Sequence, residues 1–364
     1  MTIAAAIMEK QGIFAAHQIA ALAQGGAIRP AAPLAPGQIQ PASLDLRLGR
    51  RAWRMRASFL PGACSVAEAI ARHALHEIDL GAGAALETNC VYVAELMESL
   101  ALPSDVAASA NPKSSTGRID VFTRVIADRA RAFDTIEAGY HGPLYAEISP
   151  RTFPILARCG SRLSQIRFRR GQARLDDAAH AALHARERLV SLAQPAFAGG
   201  VVVSIDLSGF GDGLIGYRAK RHTGLIDVDK PASCAVADYW EPIFAAGELV
   251  LDPGEFYILA SKEEVLVPAD HAAEMTPFDP LVGEFRVHYA GFFDPGFGMA
   301  EAGGKGARAV LEVRSHDVPF ILEDGQPVGK LVYERMAELP RDLYGAGLGS
   351  NYQAQGLKLS KHFR

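Results

Sequence analysis

Cationic and hydroxyl side chains cluster in the segment 111–118, which reads NPKSSTGR. Lys113 supplies an ammonium, Ser114 and Ser115 supply hydroxyls, and Arg118 supplies a forked guanidinium. These groups, with the backbone N–H groups of a turn, can donate hydrogen bonds to phosphate oxygens. The segment therefore indicates a pocket for a phosphorylated small molecule. A solvated turn, whose hydroxyls bond to their own backbone, is an equally good interpretation of these residues alone.

A carboxylate in an apolar strand is the second candidate. Glu312 lies in the segment 307–313, ARAVLEV. Burying a carboxylate is costly unless it has a partner or a function. In an apolar cleft the pKa of a glutamate rises toward neutrality, and such a group can transfer protons during hydrolysis at a ring carbon. The alternative is an ion pair on the strand surface with Arg308 or Arg314.

Two further segments carry groups suited to a nucleotide. The segment 289–297, YAGFFDPGF, predicts a tight turn with aromatic walls and one carboxylate, Asp294. The polar segment 349–361, GSNYQAQGLKLSK, is typical of a frayed terminus. Its alternative is a lid that orders over a nucleotide, with Tyr352 stacking on or hydrogen-bonding to the ligand and Lys358 or Lys361 reaching phosphate.

The elements that position these groups come from a tandem duplication. Residue n matches residue n+165 without a gap over about 70 residues. The identical pairs include Tyr92 and Tyr257, Glu98 and Glu263, Pro103 and Pro268, Asp105 and Asp270, Pro112 and Pro277, Glu147 and Glu312, Pro154 and Pro319, and Gly160 and Gly325. The cationic segment 113–118 corresponds to FDPLVG at 278–283, so the second copy has lost it. Each half therefore keeps parts that the other lacks, and Glu147 is a secondary candidate beside Glu312.

Short β segments separated by Pro, Gly and Asp favour a compact barrel or sandwich in each half. The alternation of Leu44, Leu46 and Leu48 with polar residues predicts a half-buried strand. Helices are predicted at 12–25, 63–77 and 175–193. The last helix ends the first of two predicted domains, 1–193 and 194–364.

Composition excludes several classes of function. The chain has 364 residues, and its 37 Lys and Arg against 41 Asp and Glu give a formal net charge of −4. Because there is no basic surplus, nucleic acid is not an expected partner. The sequence shows no leader pattern and no apolar run of about 18 residues, so we expect no membrane span and a cytoplasmic protein.

Other patterns do not predict a metal or a dinucleotide site. The four cysteines have no CxxC spacing, which argues against a disulfide framework and a Cys-rich zinc site. His73, His76 and Glu77 can share a helical turn, but the zinc-deaminase signature is absent. The GxGxxG match at 211–216 is followed by residues typical of a strand, so a Rossmann site is rejected.

Together the motifs resemble the dCTP deaminase branch of the dUTPase-like superfamily, in a duplicated form. The segment 40–49, QPASLDLRLG, is similar to the family's PAS-x-D-x-RLG signature, and 113–118 to its RSSxxR motif with Lys113 for the first Arg. In the second half, 290–297 resembles the family's sugar-binding turn AGxIDPGF, 310–312 the strand with its catalytic Glu, and 352–356 its YQGQ tail.

The resemblance implies a mainly β fold of two tandem dUTPase-like domains, each a distorted β-barrel or jelly-roll, with a few helices. It also implies hydrolytic deamination of dCTP to dUTP and ammonia, in which the Glu acts as general base and then as acid. Mg²⁺ bound through the triphosphate, no zinc, a homo-oligomer with a trimer favoured, and regulation by dTTP are further expectations.

The same resemblance assigns catalytic roles to Glu312, Ser114 and Arg118. The residues that it implies for substrate binding are Lys113, Ser115, Ala290, Phe293, Asp294, Leu311, Tyr352, Gln355 and Lys358. The sequence departs from the family in a longer spacing from Phe297 to Glu312 and in Gly356 after Gln355. Within this fold the alternatives are a dUTP diphosphatase or a bifunctional deaminase and diphosphatase giving dUMP. The non-enzyme alternative is a nucleotide-sensing regulatory protein.

Overall fold

The computed structural model describes residues 10–244, 247–277, 285–288, 291–300, 302, 306–315, 317–345 and 352–364. The strands are β1 (Gly12–Ile13), β2 (Ile28–Pro30), β3 (Leu44–Leu46), β4 (Leu48–Met55), β5 (Ala74–Asp79), β6 (Ala84–Leu86), β7 (Val91–Ala101), β8 (Val106–Pro112), β9 (Val121–Ala127), β10 (Thr135–Ile136), β11 (His141–Pro150), β12 (Ile155–Ala157), β13 (Ser164–Arg170), β14 (Val201–Ser204), β15 (Leu214–Ala219), β16 (Ile226–Asp227), β17 (Trp240–Phe244), β18 (Glu248–Leu251), β19 (Phe256–Val265), β20 (His271–Pro277), β21 (Phe285–His288), β22 (Phe292–Phe293), β23 (Ala307–Ser315), β24 (Phe320–Glu323) and β25 (Pro327–Arg335). The helices are α1 (Ala16–Gln24), α2 (Val66–His73), α3 (Ser114–Gly117), α4 (Asp177–Glu187) and α5 (Val236–Tyr239).

Each repeat is built around two antiparallel sheets. In the first repeat β13 and β8 lie inside one sheet, and β7 and β11 inside the other. In the second repeat β25 and β20, and β19 and β23, take the same places. Buried aliphatic and aromatic side chains from these strands form the cores. The prediction of two tandem, mainly β repeats with a few helices is confirmed.

Strand pairing repeats with the same register 165 residues later. The matched pairs are Pro112–Ser164 with Pro277–Gly329, and Ala94–Ala146 with Leu259–Leu311. A side-chain contact repeats as well: the Tyr92 hydroxyl accepts a hydrogen bond from the Glu87 N–H at 3.1 Å, and the Tyr257 hydroxyl accepts one from the Asp252 N–H at 3.0 Å. The duplication seen in the sequence is therefore a duplication of three-dimensional structure.

The helices are shorter than the sequence predicted. Residues 12–13 pair with β13 before α1 begins, and residues 74–79 pair with β4 after α2 ends. Ser65 caps α2 by accepting a hydrogen bond from the Glu68 N–H at 3.2 Å. Apolar spacing alone does not show that a neighbouring strand competes for the end of a helix, so both boundaries were misplaced.

β3 is buried on both sides, so the prediction of a half-buried strand was wrong. Asp45 is only 2% exposed and Arg47 only 6%. Arg47 donates to the buried Glu98 carboxylate from its backbone N–H at 2.8 Å and from Nε at 2.7 Å. Polar residues that are satisfied inside the protein have the same sequence pattern as polar residues that face water.

The two repeats share an extended interface. β16 of the second repeat pairs in parallel with β12 of the first, matching Ile226 with Ile155. The Trp240 ring centroid lies 5.3 Å from that of Phe153 and 5.7 Å from that of Phe363. This packing brings the end of the chain against the first repeat. Among the described residues, no helix has the length and apolarity to cross a bilayer.

Candidate active site

The cationic segment forms a single helical turn after β8. Backbone N–H groups of Gly117 and Arg118 donate to the carbonyls of Lys113 and Ser114 at 3.0 Å. Ser115 and Arg118 are buried, with 6% and 3% of their surfaces exposed. The turn therefore carries the Arg118 guanidinium inward, toward the second repeat.

Arg118 meets Glu312 across the two repeats. Arg118 Nε lies 3.9 Å from Glu312 Oε1, and both side chains are less than 10% exposed. The guanidinium carbon lies 3.9 Å from the centroid of the Tyr352 ring, and Nη1 donates to the Lys358 carbonyl at 2.9 Å. The cationic turn, β23 and the segment 352–358 are distant in the sequence, and they meet at the Arg118 guanidinium.

Glu312 does not form the surface ion pair with Arg308 or Arg314 that was the alternative interpretation of its sequence. Arg308 binds Asp206 and Arg314 binds Asp120, so both arginines are engaged elsewhere. Burial raises the pKa of Glu312 to about 8, and the charge of Arg118 opposes part of that rise. A carboxyl group with a pKa near neutrality can take and return a proton during a reaction.

The end of the chain is packed rather than frayed, over the residues from 352 onward. Ser360 Oγ donates to the Ser115 carbonyl at 2.8 Å, and the Tyr352 hydroxyl accepts from the Lys361 N–H at 3.2 Å. Gln355 Nε2 donates to the Arg308 carbonyl at 3.0 Å. The tail therefore packs against the cationic turn, and its role as a lid over a nucleotide stays a prediction.

Cations surround a buried carboxylate beside the turn. The Lys113 ammonium binds Asp45 Oδ2, and Arg162 Nη1 lies 3.6 Å from the same oxygen. Burial, with the nearby charge of Lys113, lowers the pKa of Lys361. Two cations on one carboxylate leave a local excess of positive charge, which suits an anion.

Three buried polar atoms at this site have no hydrogen-bond partner among the described residues. They are Arg118 Nε, Gln355 Oε1 and Asp45 Oδ1. Buried donors and acceptors are normally satisfied in a folded protein. Unsatisfied buried atoms of this kind are typical of sites that bind a ligand or ordered water.

The aromatic turn is held by contacts within the second repeat and by a hydrogen bond from Arg167 of the first repeat to Asp294. The Phe297 N–H donates to the Asp294 carbonyl at 3.2 Å, and the Phe293 and Phe297 rings meet edge to face at 5.0 Å. Gly296 has φ of 96°, and a Cβ there would lie 2.7 Å from the Leu343 Cβ. Ala290, which the sequence placed in this turn, lies outside the described residues.

Two other predicted site residues have different surroundings. Leu311 is fully buried in the core of the second repeat, so its side chain points away from Glu312. It can therefore contribute to the site only through its backbone. Glu147, the duplicate of Glu312, accepts from Arg124 Nε at 3.1 Å. The Arg124 guanidinium also lies 3.5 Å from the Phe133 ring centroid.

Sequence reasoning missed Arg167 and the ion pair of Asp120 with Arg314. Arg167 is fully buried and donates to Asp294 Oδ1 at 3.2 Å. The n+165 comparison held the signal for Arg167, since it aligns an arginine with Val332. The same comparison aligns Asp120, whose φ of 54° places it in the left-handed region, with the apolar Phe285.

Tandem β repeats that bring a cationic turn against a buried carboxylate define a duplicated protein of the dUTPase-like fold class. The family model described as the 2'-deoxycytidine 5'-triphosphate deaminase N-terminal domain matches residues 10–172, and the C-terminal domain of the same family matches residues 176–363. The chain therefore belongs to the dCTP deaminase family.

Individual relatives agree with the family match. The crystal structure of 2'-deoxycytidine 5'-triphosphate deaminase from Agrobacterium tumefaciens is 62% identical, with a TM-score of 0.89, over 93% of this chain and 100% of that one. Proteins named "dCTP deaminase, dUMP-forming" from Beutenbergia cavernae and Halobacterium salinarum are each 33% identical, over 110 and 112 residues. Those matches cover 29% and 30% of this chain and 53% of each relative, so they span about half the length of these curated relatives.

Proposed function

We propose that this chain deaminates dCTP hydrolytically, giving dUTP and ammonia. The contact between Arg118 of the first repeat and Glu312 of the second carries the proposal. It joins the cationic turn, which only the first repeat has, to a buried glutamate of the second repeat. Membership of the dCTP deaminase family supports the choice of substrate. Catalysis then belongs to a single composite site per chain.

In the proposed reaction Glu312 first acts as general base. Its carboxylate takes a proton from a water molecule while the oxygen attacks C4 of the cytosine ring. Glu312 then returns that proton to the amine, the C4–N bond breaks to release ammonia, and the remaining hydroxyl proton moves to N3 as the C4 carbonyl forms. Water and dCTP are consumed, and dUTP and ammonia are formed. Arg118 and Ser114 orient the water and stabilise the charge that develops on the ring.

The cations beside the turn are assigned to the triphosphate. Lys113 and Lys358 contribute charge, while Ser115 and the backbone N–H groups of the turn contribute hydrogen bonds. Among the described residues, no group of three or more His, Cys, Asp or Glu side chains is placed to hold a metal ion. We assign Mg²⁺ to the phosphates of the nucleotide, where it would neutralise part of their negative charge.

A second candidate continues the reaction to dUMP. The names of the relatives from Beutenbergia cavernae and Halobacterium salinarum favour it, since both are described as dUMP-forming. Such an enzyme would release pyrophosphate as well as ammonia.

The test is incubation of the purified chain with dCTP or dUTP and Mg²⁺, with ammonia and pyrophosphate followed together. Ammonia alone supports the deaminase, and both products support the bifunctional enzyme. Pyrophosphate from dUTP without ammonia from dCTP indicates a diphosphatase. Nucleotide binding by calorimetry without either product indicates a sensor and contradicts the proposal.

Glu312 and its duplicate provide a matched pair of variants. Glu312→Gln removes the general base and should lower kcat by about 10²- to 10⁴-fold while the chain stays folded. Glu147→Gln changes the equivalent position of the other repeat and should have a much smaller effect. Equal losses in the two variants would contradict a single composite site.

A further inference from the structure

Arg167 is a buried cation that links the first repeat to the aromatic turn of the second. It lies on β13, where its side chain is fully buried. Its neighbours Ile166 and Phe168 point into the core of the first repeat, so alternation along the strand directs Arg167 away from that core. An arginine without solvent is stable only when carboxylates and other acceptors surround it.

Acceptors of the second repeat provide that surrounding. Nη2 of Arg167 donates to Asp294 Oδ1 at 3.2 Å and to the Phe293 carbonyl at 3.4 Å. Nη1 donates to the Ala273 carbonyl at 3.2 Å and to Glu334 Oε2 at 3.4 Å. The guanidinium carbon also lies 4.0 Å from the Phe292 ring centroid. The Arg167 guanidinium therefore holds both the Asp294 side chain and the backbone of the aromatic turn.

The duplication shows that this arrangement belongs to one site only. The residue equivalent to Arg167 is Val332 on β25, which has no charge. In the first repeat Ile136 pairs with Ala108 as Phe293 pairs with Ala273, so the residue that corresponds to Asp294 is Glu137, which is exposed. The turn that carries Asp294 is thus the one supplied with a guanidinium.

We propose that Arg167 is a positioning residue for nucleotide recognition, which holds the Asp294 carboxylate so that Oδ2 accepts a hydrogen bond from the 3′-hydroxyl of the deoxyribose. A 2′-deoxynucleoside 5′-triphosphate has one free sugar hydroxyl, at the 3′ position, so a carboxylate acceptor recognises that group. Burial raises the pKa of Asp294, and the Arg167 charge opposes the rise and favours the ionised form. This inference rests on the proposed function for its substrate.

The test compares dCTP with 2′,3′-dideoxy-CTP, which lacks the hydroxyl. A hydrogen bond to a charged acceptor corresponds to a preference of about 10- to 100-fold in kcat/KM for dCTP in the unaltered chain. Arg167→Met should reduce the preference toward one, mainly by raising KM for dCTP. Arg167→Lys should give an intermediate preference, because one ammonium cannot reproduce the planar fork. Arg170→Met is the control, since Arg170 lies on the same strand but binds the exposed Asp105.

Loss of stability alone does not change a ratio between two substrates, so the measurement separates positioning from folding. If Arg167→Met does not fold, Arg167→Lys decides the question. A folded variant that keeps the full preference overturns the proposal, as does an unaltered chain that shows no preference. If no ammonia is released from dCTP, the proposed function fails, and the same preference is then read from dissociation constants of the two nucleotides.

Discussion

Two opposed influences set the pKa of Glu312. Removal from water raises the pKa of the carboxyl to about 8, whereas the Arg118 charge at 3.9 Å lowers it. The balance leaves a group that exchanges a proton near neutral pH, where a surface glutamate would stay ionised. Asp120 and Asp206 bind the neighbouring arginines of the same strand, which keeps those cations away from Glu312.

The first prediction concerns the pH dependence of the proposed reaction. A general base must be ionised in the free enzyme, and Glu312 is largely protonated below its pKa of about 8. We therefore expect kcat/KM to rise about tenfold per pH unit up to about pH 8 and then to level. Because Arg118 lowers the pKa of Glu312, Arg118→Met should move this limb to higher pH. Steady-state rates between pH 5.5 and 9.5 measure both effects, and a flat profile would exclude Glu312 as the base.

Single residues were predictable where their chemistry was conspicuous in the sequence. Lys113, Ser115 and Arg118 stood together, and Glu312 stood out in an apolar strand. Arg167 was not conspicuous, because a strand that contains several arginines has the sequence pattern of a solvated strand. Only the element packed against it shows that Arg167 is buried. The depth of Asp45 was hidden for the same reason: burial depends on the element packed against a strand, which spacing within the strand does not reveal.

At the scale of elements, two ion pairs hold β23 against residues 118–120, which follow α3. The first repeat supplies the cation of one pair and the second repeat supplies the cation of the other. The first repeat contributes Arg118 and then Asp120, and the second contributes Glu312 and then Arg314. Residues two apart on a strand share one face, so both pairs lie on the same side of β23. Arg314 Nη2 also donates to Thr152 Oγ1 at 2.9 Å, which adds a second link to the first repeat.

We predict that the pair of Asp120 with Arg314 fixes how β23 sits against the cationic turn. A double-mutant cycle with Asp120→Asn and Arg314→Met should give a coupling energy of about 1–3 kcal/mol, since both side chains are largely buried. Urea unfolding measures it. The exposed pair of Arg50 with Asp79 is the control, and its coupling should be below about 1 kcal/mol. Equal coupling in the two cycles would show that the buried pair has no special role.

The boundaries of elements were less predictable than their existence. Periodicity located α1, α2 and α4, but strand pairing shortened the first two at one end. The last part of the chain was harder still. Its polar residues are typical of a mobile terminus, and only contacts with Ser115 and Arg118 explain why the segment packs.

At the scale of the whole molecule, duplication explains why one chain can hold a complete site. A single repeat has either the cationic turn or the isolated glutamate in a suitable setting, and the interface between repeats joins them. Comparison of the two copies made this predictable from the sequence, because the cationic and hydroxyl residues of 113–118 are absent from the corresponding segment 278–283. The assembly of chains with one another, for which a homo-oligomer and above all a trimer was predicted, stays a prediction.

The last prediction separates a site within one chain from a site between chains. Arg118→Ala and Glu312→Gln each remove one side of the composite site. If both sides come from one chain, as the 3.9 Å contact indicates, every chain in a mixed oligomer is damaged, and coexpressing the variants restores no activity. If sites form between chains, about one quarter of the sites in randomly mixed oligomers would be intact. Differently tagged variants, purified together through both tags and assayed for ammonia release, distinguish the two arrangements. Because purification through both tags removes unmixed oligomers, recovery of about one third of the unaltered activity for a trimer, or about one half for a dimer, would place Arg118 and Glu312 of each working site on different chains.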